Sequence, residues 1–197
     1  MKKCIIEVDM NNREIAKYSC DFIGGIKPKV NTWYNENNSK KIDIMTIKES
    51  KLKNIKVCAT IGLNEVNIHQ ILEDKPITIE LIAASYPEEN DFLEKIISTV
   101  AFEIMDLKRC KYGTILKNII NMYNNNYEMK HILLLTPVFW DNYKSLETSE
   151  KIIAWLYLVP ISDKELEYIN ENGIDKFDKM LEEKKVDILE YKRKTCV

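Results

Sequence analysis

Two segments in the second half of the chain are almost continuously apolar, and they limit the folds that this sequence can adopt. They are His131-Ile132-Leu133-Leu134-Leu135 and Ile152-Ile153-Ala154-Trp155-Leu156-Tyr157-Leu158-Val159. Such runs are typical of central strands covered on both faces, because a half-exposed strand alternates apolar with polar residues. Pro137 and Pro160 follow the two runs, and since proline has no amide N–H for a ladder, we expect each strand to end there.

Regular spacing of apolar residues predicts the remaining elements. Strands are predicted at residues 30–34, 41–47, 55–61, 77–82 and 186–191, the first four as an antiparallel meander. Helices are predicted at residues 12–23, 89–106 and 115–123. A capping box, Ser162-Asp163-Lys164-Glu165, begins another helix that ends in a left-handed cap at Asn172-Gly173, and a short helix follows at 174–181. We expect one α+β domain over residues 1–197, with its core at about 12–195 and a mixed, mostly antiparallel sheet packed with helices.

The balance of charges argues against a nucleic-acid-binding protein. The chain has 29 Lys and Arg against 31 Asp and Glu, which gives a net charge of −2. Nonspecific binding to nucleic acid depends on a strong positive field. Basic and aromatic residues are also not interleaved in the way that marks a platform for single-stranded bases. We therefore expect no direct contact with nucleic acid.

The cysteines and the first residues favour a cytoplasmic protein. Five cysteines, at positions 4, 20, 58, 110 and 196, are odd in number, widely spaced and without a C-x-x-C pair, which favours reduced thiols over a disulfide framework. The chain begins with two lysines like a signal peptide, but Glu7 and Asp9 interrupt the apolar run that follows. No segment approaches the roughly 20 apolar residues that span a bilayer. We expect no membrane association.

The chain offers few candidates for nucleophilic catalysis. Its two histidines, His69 and His131, would allow a Cys–His pair with Cys58 or Cys110. Cys58 lies inside a predicted apolar strand, where a free cysteine usually behaves as a small buried hydrophobe, and no local nucleophile signature surrounds it. His131 begins a predicted strand, and we expect its role to be structural. The sequence predicts no catalytic residue.

Metal and phosphate sites lack their usual motifs. No H-x-x-x-H, C-x-x-C or EF-hand pattern supplies closely spaced ligands, and with five glycines neither phosphate-binding glycine motif occurs. Glu182-Glu183-Lys184 contains the E-x-K element of some metal-dependent nucleases, but alternating charge on a predicted helix is more typical of a solvated face. We predict no metal and no cofactor, and a nuclease that uses clustered carboxylates is a minor alternative.

Residues 163–190 are rich in acidic side chains, with ten Asp and Glu against five lysines. The ordinary solvated faces of two helices would account for this excess. The functional alternative is an acidic surface that steers a basic partner and speeds its capture. Trp140, which follows Pro137-Val138-Phe139 at a strand exit, fits either an interface or core packing. The candidate partner-binding residues are Glu167, Glu171, Asp175, Asp178 and Trp140.

Three motifs resemble one known domain family. Ala59-Thr60-Ile61-Gly62-Leu63-Asn64 is similar to the T-x-G-L-S strand and turn of suppressor-of-fused domains. Val159-Pro160-Ile161-Ser162, with Glu165, Tyr168 and Gly173 downstream, resembles the family's VPI-[ST]-x-x-E-x-x-Y segment. The end of the chain is similar to the family's D-x-x-D-x-x-R-x-S segment, through Asp187, Glu190, Arg193 and Thr195.

Glu190 and Thr195 depart from that last pattern, which has Asp and Ser in their places. The similarity covers roughly residues 12–195. The motif residues that we expect to maintain the fold, through turn and cap positions, are Gly62, Pro160, Ser162, Glu165 and Gly173.

The resemblance implies a non-enzymatic α+β domain that binds other proteins. The short bacterial members of the family are similar to antitoxins, or immunity proteins, for toxins that are often nucleases. This chain resembles that group, which implies that it binds and neutralises a cognate toxin. Two alternatives stay open: a regulator or scaffold that binds a non-toxin partner, and a hydrolase or nuclease that uses Cys58 or clustered carboxylates.

Overall fold

One mixed β-sheet organises the chain, which the computed structural model describes at residues 11–47, 54–86, 92–140 and 143–197. Within these ranges the sheet has nine strands. They are β1 (Lys29–Tyr34), β2 (Lys41–Ile47), β3 (Lys56–Ile61), β4 (Gln70–Leu72), β5 (Lys75–Ser85), β6 (Ile115–Leu116), β7 (Met129–Leu135), β8 (Leu146–Glu147) and β9 (Ile152–Ser162). The α-helices of the same ranges are α1 (Asn12–Ile23), α2 (Leu93–Leu107), α3 (Asp163–Asn172) and α4 (Ile174–Glu183), and a 3-10 turn covers Leu63–Glu65.

The sheet is mostly antiparallel, as predicted. Its order is β1-β2-β3-β5-β9-β7-β6, with β4 paired to β5 and β8 paired to β9. β5 and β9 run parallel, and the other pairs of the described chain are antiparallel. The predicted meander is confirmed for β1, β2, β3 and β5, although the short strand β4 intervenes before β5. The predicted α+β class is confirmed.

β9 is a central strand, as its apolar run predicts. Its side chains alternate between two hydrophobic clusters. Trp155 and Tyr157 pack with residues of α1, α3 and α4, whereas Leu156 and Leu158 pack with residues of α2. Both faces of the strand are therefore covered, which explains why its side chains are apolar along most of its length.

Pro160 does not end β9, contrary to the prediction. The strand runs on to Ser162, and Pro160 lies opposite Ile132 of β7. The Pro160 carbonyl accepts a hydrogen bond from Arg193 Nη2 at 2.7 Å, so the backbone polar groups of residue 160 face away from β7. In an antiparallel ladder the N–H and C=O of one residue point to the same side. Proline at this position therefore removes no inter-strand hydrogen bond.

The helix predicted at residues 115–123 is wrong. The segment begins with β6, and Asn118 then adopts a left-handed backbone with φ 62°. The Asn118 amide donates to Nδ1 of His131 at 2.8 Å, and the Ile120 amide donates to the carbonyl of Lys130 at 3.0 Å. Because residues of β7 accept from these amides, no helical hydrogen-bond ladder forms. The apolar residues of this segment are spaced as in a helix, but turns place them in the core.

The strand predicted at residues 186–191 is also wrong. Lys185 has a left-handed backbone with φ 51°, and two turns follow it. The amide of Leu189 donates to the Asp187 side chain at 3.0 Å, and the amide of Glu190 donates to the Asp187 carbonyl at 3.3 Å. These local bonds take the donors that a strand would have offered to a neighbour.

The helix predictions are otherwise confirmed in position. α1 covers the predicted residues and begins with a capping box formed by Asn11 and Glu14. α2 begins at Leu93, and residues 89–91 of its predicted range lie outside the described residues. α3 and α4 occupy the predicted places at the end of the chain.

A buried carboxylate holds the turn that follows β3. Glu80 of β5 is fully buried and accepts four hydrogen bonds: from Thr60 Oγ1 at 2.5 Å, from the Gly62 amide at 2.9 Å, and from the amide and Nδ2 of Asn64 at 3.2 and 2.7 Å. Lys151 Nζ donates to Asn64 Oδ1 at 2.6 Å. Gly62 has φ 97°, a conformation that favours glycine. This part of the T-x-G-L-S-like motif therefore has a structural role.

The pH dependence of stability tests the role of Glu80. Burial raises the pKa of the Glu80 carboxyl, and the hydrogen bonds from Thr60 and Asn64 offset part of the rise. A group with a raised folded pKa contributes stability below its unfolded pKa, and that contribution is lost as the pH rises through the folded pKa. Glu80→Gln stays neutral, so we expect its free energy of unfolding, relative to the wild type, to increase from about pH 4 to about pH 8.

Urea denaturation across this pH range measures the difference. Glu103→Gln, at an exposed position of α2, is the matched control and should show no such trend. A Glu80→Gln difference that is constant with pH would contradict the prediction.

Candidate partner-binding groove

The junction between β9 and α3 sets the position of the last two helices. The Ser162 amide donates to Glu165 Oε2 at 3.0 Å, and Ser162 Oγ accepts from the Glu165 amide at 3.2 Å. The predicted capping box is therefore confirmed. α3 ends at Gly173 as predicted, but the glycine has φ 86° and ψ 160°, so the predicted left-handed cap is wrong. Only glycine readily adopts this backbone region, which here turns the chain directly from α3 into α4.

Arg193 closes the end of the chain onto this junction through a buried ion pair. Its Nη1 lies 2.5 Å from Glu165 Oε1, and its Nη2 lies 2.9 Å from Oε2. Glu165 is 0% exposed and Arg193 is 6% exposed. Arg193 Nη2 also donates to the Pro160 carbonyl, and the Cys196 amide donates to Glu165 Oε1 at 3.0 Å. The two-pronged geometry lets one arginine satisfy both carboxylate oxygens.

The surroundings keep this pair ionised. Burial alone would raise the pKa of the Glu165 carboxyl, but the hydrogen bonds and charge of Arg193, with the Cys196 side chain and the Ser162 amide, outweigh burial and lower it. Ser162 Oγ donates in turn to Thr195 Oγ1 at 3.1 Å. The motif residues that meet here are Pro160, Ser162, Glu165, Arg193 and Thr195. They hold the C-terminal segment against β9 and α3.

A groove lies between α4, the end of β7 and residues 186–188 of the anchored segment. Its volume is about 520 Å³. Most of its lining side chains are apolar, and Val138 among them is 64% exposed. Six of these side chains are called the apolar lining: Leu135, Val138, Phe139, Tyr157, Val159 and Leu181.

Four carboxylates, of Asp175, Asp178, Glu182 and Asp187, border the groove and are called the acidic rim. Tyr112 donates its hydroxyl to Asp178 Oδ2 at 2.8 Å, and Tyr86 donates to Asp187 Oδ2 at 2.8 Å. Burial and the hydrogen bond to Asp178 raise the pKa of Tyr112, so this hydroxyl stays a neutral donor. The tyrosines therefore orient two rim carboxylates without compensating their charge.

The structure brings together only part of the predicted partner-binding set. Asp175 and Asp178 border the groove, whereas Glu167 and Glu171 are exposed on α3 outside it. Trp140 is only 5% exposed. It packs behind the apolar lining, with ring centroids 5.9 Å from Phe139 and 6.3 Å from Tyr157. The Trp140 side chain therefore has little surface to offer a partner.

Several groove residues were missed by the sequence reasoning. Tyr112 lies in the segment 108–114, which carries no periodic signal, and Phe139 belongs to a short apolar stretch after a strand. The one usable signal was Val138, an apolar residue next to Pro137 where a loop was expected. Tyr157 and Val159 line the groove from within the most apolar strand, so their sequence context indicates only core.

The cysteines weighed as nucleophiles are buried. Cys58 is 0% exposed and Cys110 is 3% exposed, and burial raises the pKa of each thiol to about 12. His131 Nε2 lies 2.9 Å from Asp163 Oδ1, and Nδ1 accepts from a backbone amide. His131 is therefore a satisfied structural residue, as expected, while His69 is exposed. Thiols in this state do not supply the thiolate that nucleophilic catalysis requires.

Neither a metal centre nor a membrane span is found in residues 11–47, 54–86, 92–140 and 143–197. Among them no three His, Cys, Asp or Glu side chains converge as metal ligands do. The helices in these ranges are too short or too polar to cross a bilayer.

The sequence pattern of the family described as Suppressor of fused protein (SUFU) matches residues 38–194. The chain belongs to this family. A curated relative, immunity protein YqcF of Bacillus subtilis (strain 168), is 34% identical over 192 residues, which are 96% of this chain and 99% of the relative. The resemblance seen in the three sequence motifs is thereby confirmed.

Solved structures share the SUFU fold with this chain. A putative SUFU homologue from Neisseria gonorrhoeae matches with a TM-score of 0.74 at 16% identity, over 94% of this chain and 96% of that one. A chain of the Sufu–Fu complex matches with a TM-score of 0.64 at 10% identity, over 94% and 91%. Drosophila Suppressor of Fused matches with a TM-score of 0.55 at 11% identity, over 79% of this chain and 42% of its own.

A double-mutant cycle tests the buried ion pair. Arg193→Met leaves the Glu165 carboxylate buried without its cation, so we expect the free energy of unfolding to fall by about 3–5 kcal/mol. Adding Glu165→Gln removes the uncompensated charge, and we expect the double variant to lose less than the sum of the single losses. Urea denaturation at neutral pH measures all three variants.

Arg109→Met, at an exposed position, is the control and should change stability little. Because the pKa of Glu165 is lowered, the contribution of the pair is present above its unfolded pKa and is lost as the pH falls through its folded pKa. Strictly additive losses, or a small effect of Arg193→Met, would argue that the C-terminal segment is held by other contacts.

Proposed function

We propose that this SUFU-family chain is an immunity protein that binds and neutralises a cognate protein toxin, with no catalytic step of its own. The relative named immunity protein YqcF supports this proposal, because the two chains align over almost their whole lengths. The groove supports it independently. The exposed Val138 and the half-buried Phe139 lie beside carboxylates that have no paired cation among the described residues, and such a surface suits a protein partner of opposite charge.

The acidic face of α3 and α4 is the observation that carries the proposal. Glu167, Glu171 and Asp175 are exposed, and no Lys, Arg or His of the described residues lies within ion-pair distance of them. Their field is therefore available to a partner. It raises the rate of encounter with a basic surface and weakens as salt is added.

A nuclease toxin is the partner class that fits this face. An enzyme that binds a polynucleotide needs a positive surface against the phosphates, and an acidic protein that covers this surface denies the substrate its site. Neutralisation would thus require only occlusion. The proposed localisation is the cytoplasm, where such a toxin would meet its substrate and where the four described cysteines, which are free, would stay reduced.

Two other functions are compatible with the sequence. A regulator or scaffold with a non-toxin partner would use the same face, and the product of the neighbouring gene distinguishes it from an immunity protein. A hydrolase that uses Cys58 is disfavoured, because the thiol is inaccessible and its pKa is raised to about 12 by burial.

Co-expression with the product of the neighbouring gene tests the function directly. We expect that product to arrest growth when expressed alone and this chain to restore growth. Killing that continues while the chain accumulates as soluble protein would reject the immunity function.

Charge reversal tests the acidic face. We expect the triple variant Glu167→Lys, Glu171→Lys and Asp175→Lys to slow association with the toxin by about tenfold or more at low salt, because steering depends on these charges. Stopped-flow or surface-based kinetics over a range of ionic strength measures the effect.

The matched control is Glu36→Lys, Glu73→Lys and Glu103→Lys, which changes the net charge equally at exposed positions away from α3 and α4. An association rate that falls equally in both triple variants would show that only net charge matters and would eliminate this face as the steering surface.

A further inference from the structure

We propose that the groove binds an apolar side chain of the partner, carried on a protein segment that also presents lysine or arginine to the acidic rim. The inference deepens the proposed function, since it specifies what the toxin would insert. The chemistry of the groove is nevertheless a property of this chain alone, and it can be tested without the toxin.

The apolar lining favours an apolar guest. Val138 is 64% exposed, and it stands next to the half-buried Phe139. The Tyr157 hydroxyl is directed to the Ala84 carbonyl, 3.4 Å away, so this polar atom is engaged within the protein. The other residues of the apolar lining, Leu135, Val159 and Leu181 among them, are buried and form the floor of the groove. An apolar edge that stays in contact with water at a concave site, as at Val138 and Phe139, marks a binding surface rather than an ordinary protein exterior.

The lining is rigid enough to act as a preformed pocket. Phe139 meets Trp140 edge to face at 5.9 Å and 85°, and meets Tyr157 at 5.5 Å and 76°. The opposite wall, residues 186–188, belongs to the segment that Arg193 anchors. A pocket that is already formed spares the partner the entropic cost of ordering it. At about 520 Å³ it has the size of small-ligand sites, enough for a large side chain.

The rim determines the charge of the segment that carries this guest. Lys179 is the cation among the described lining residues, and its Nζ lies 3.5 Å from Glu183 outside the groove. The four rim carboxylates are therefore in excess. Asp178 and Asp187 are held by tyrosine hydroxyls, which leave their charge in place. An acidic segment or a nucleic acid would be repelled, and a second copy of this chain docked rim to rim would bring like charges together.

Matched valine substitutions distinguish binding at the groove from binding elsewhere on the surface. Val138→Lys places a cation at the exposed edge of the groove, where it competes with the guest for the rim. Val30→Lys makes the same change at a 49% exposed valine of β1. Both positions are exposed, so circular dichroism and urea denaturation should find each variant folded.

The probes are three synthetic 12-residue peptides with a fluorescent label. One combines lysine and leucine at helical spacing, the second has glutamate for each lysine, and the third has serine for each leucine. Fluorescence anisotropy with the full chain measures their binding. We expect the lysine–leucine peptide to bind saturably and both other peptides to bind at least about tenfold more weakly. We expect Val138→Lys to weaken the first peptide about tenfold and Val30→Lys to leave it unchanged.

Three results obtained without the toxin would overturn the inference. Equal binding to the two valine variants would place the peptide elsewhere, and equal binding of the lysine–serine peptide would show that the apolar lining is unused. A dimer in sedimentation that Val138→Lys abolishes would assign the groove to a second copy of the chain. Neutralisation of the toxin gives a separate readout. Full neutralisation by Val138→Lys would reject the groove as the binding site but keep the immunity function. Peptide binding by a chain that does not neutralise the toxin would keep the groove and reject the immunity function.

Discussion

The buried pair between Glu165 and Arg193 is the interaction on which the binding face depends. The residues after α4 form no helix or strand, because their backbone amides donate within local turns. No ladder of hydrogen bonds therefore fixes this segment to the rest of the fold. Taking two charges out of water is costly, and hydrogen bonds to the buried groups offset this cost; of the Arg193 nitrogens, Nε alone is buried without a partner among the described residues. Glu165 accepts from Arg193, Ser162 and Cys196, and Arg193 also reaches the Pro160 carbonyl. The C-terminal wall of the groove is thus tied to the sheet.

Glu80 and Glu165 have similar structural roles, but their pKa values shift in opposite directions. Each is a fully buried carboxylate that holds an irregular connection to the sheet. Glu165 has a cation in contact, which lowers its pKa, whereas Glu80 has neutral donors, so burial prevails and its pKa rises. The family-like motifs supply most of these contacts and none of the acidic rim except Asp187. In this chain the motifs therefore build the frame, while the groove is formed largely by residues outside them.

The sequence predicts elements whose cause is local. α1 was predicted from apolar periodicity and α3 from its capping box, and β9 follows from an apolar run that only a doubly covered strand accommodates. The predictions for residues 115–123 and 186–191 are wrong for a common reason. The backbone amides of these segments are satisfied by a distant side chain or by a turn, and the spacing of apolar residues does not indicate such hydrogen bonds. Of the four rim carboxylates, Asp175 and Asp178 were among the candidate residues chosen from the acidic composition of this region. The apolar lining of the groove was not predicted, because Tyr157 and Val159 belong to a core strand, and which side chains face a surface groove depends on how the chain is packed.

In the proposed complex, the two properties of the groove would act on different stages of binding. Long-range attraction to carboxylates affects the encounter and is screened by salt, whereas burial of an apolar side chain is short-ranged and acts mainly after docking, on dissociation. The exposed carboxylates on α3 lie outside the groove and would serve the first stage alone. Asp175 would serve both, since it belongs to the acidic face and to the rim. A partner would have to match a charge pattern and a cavity at the same place, so a merely basic surface would be captured quickly but released quickly, and selectivity would come from the apolar contact.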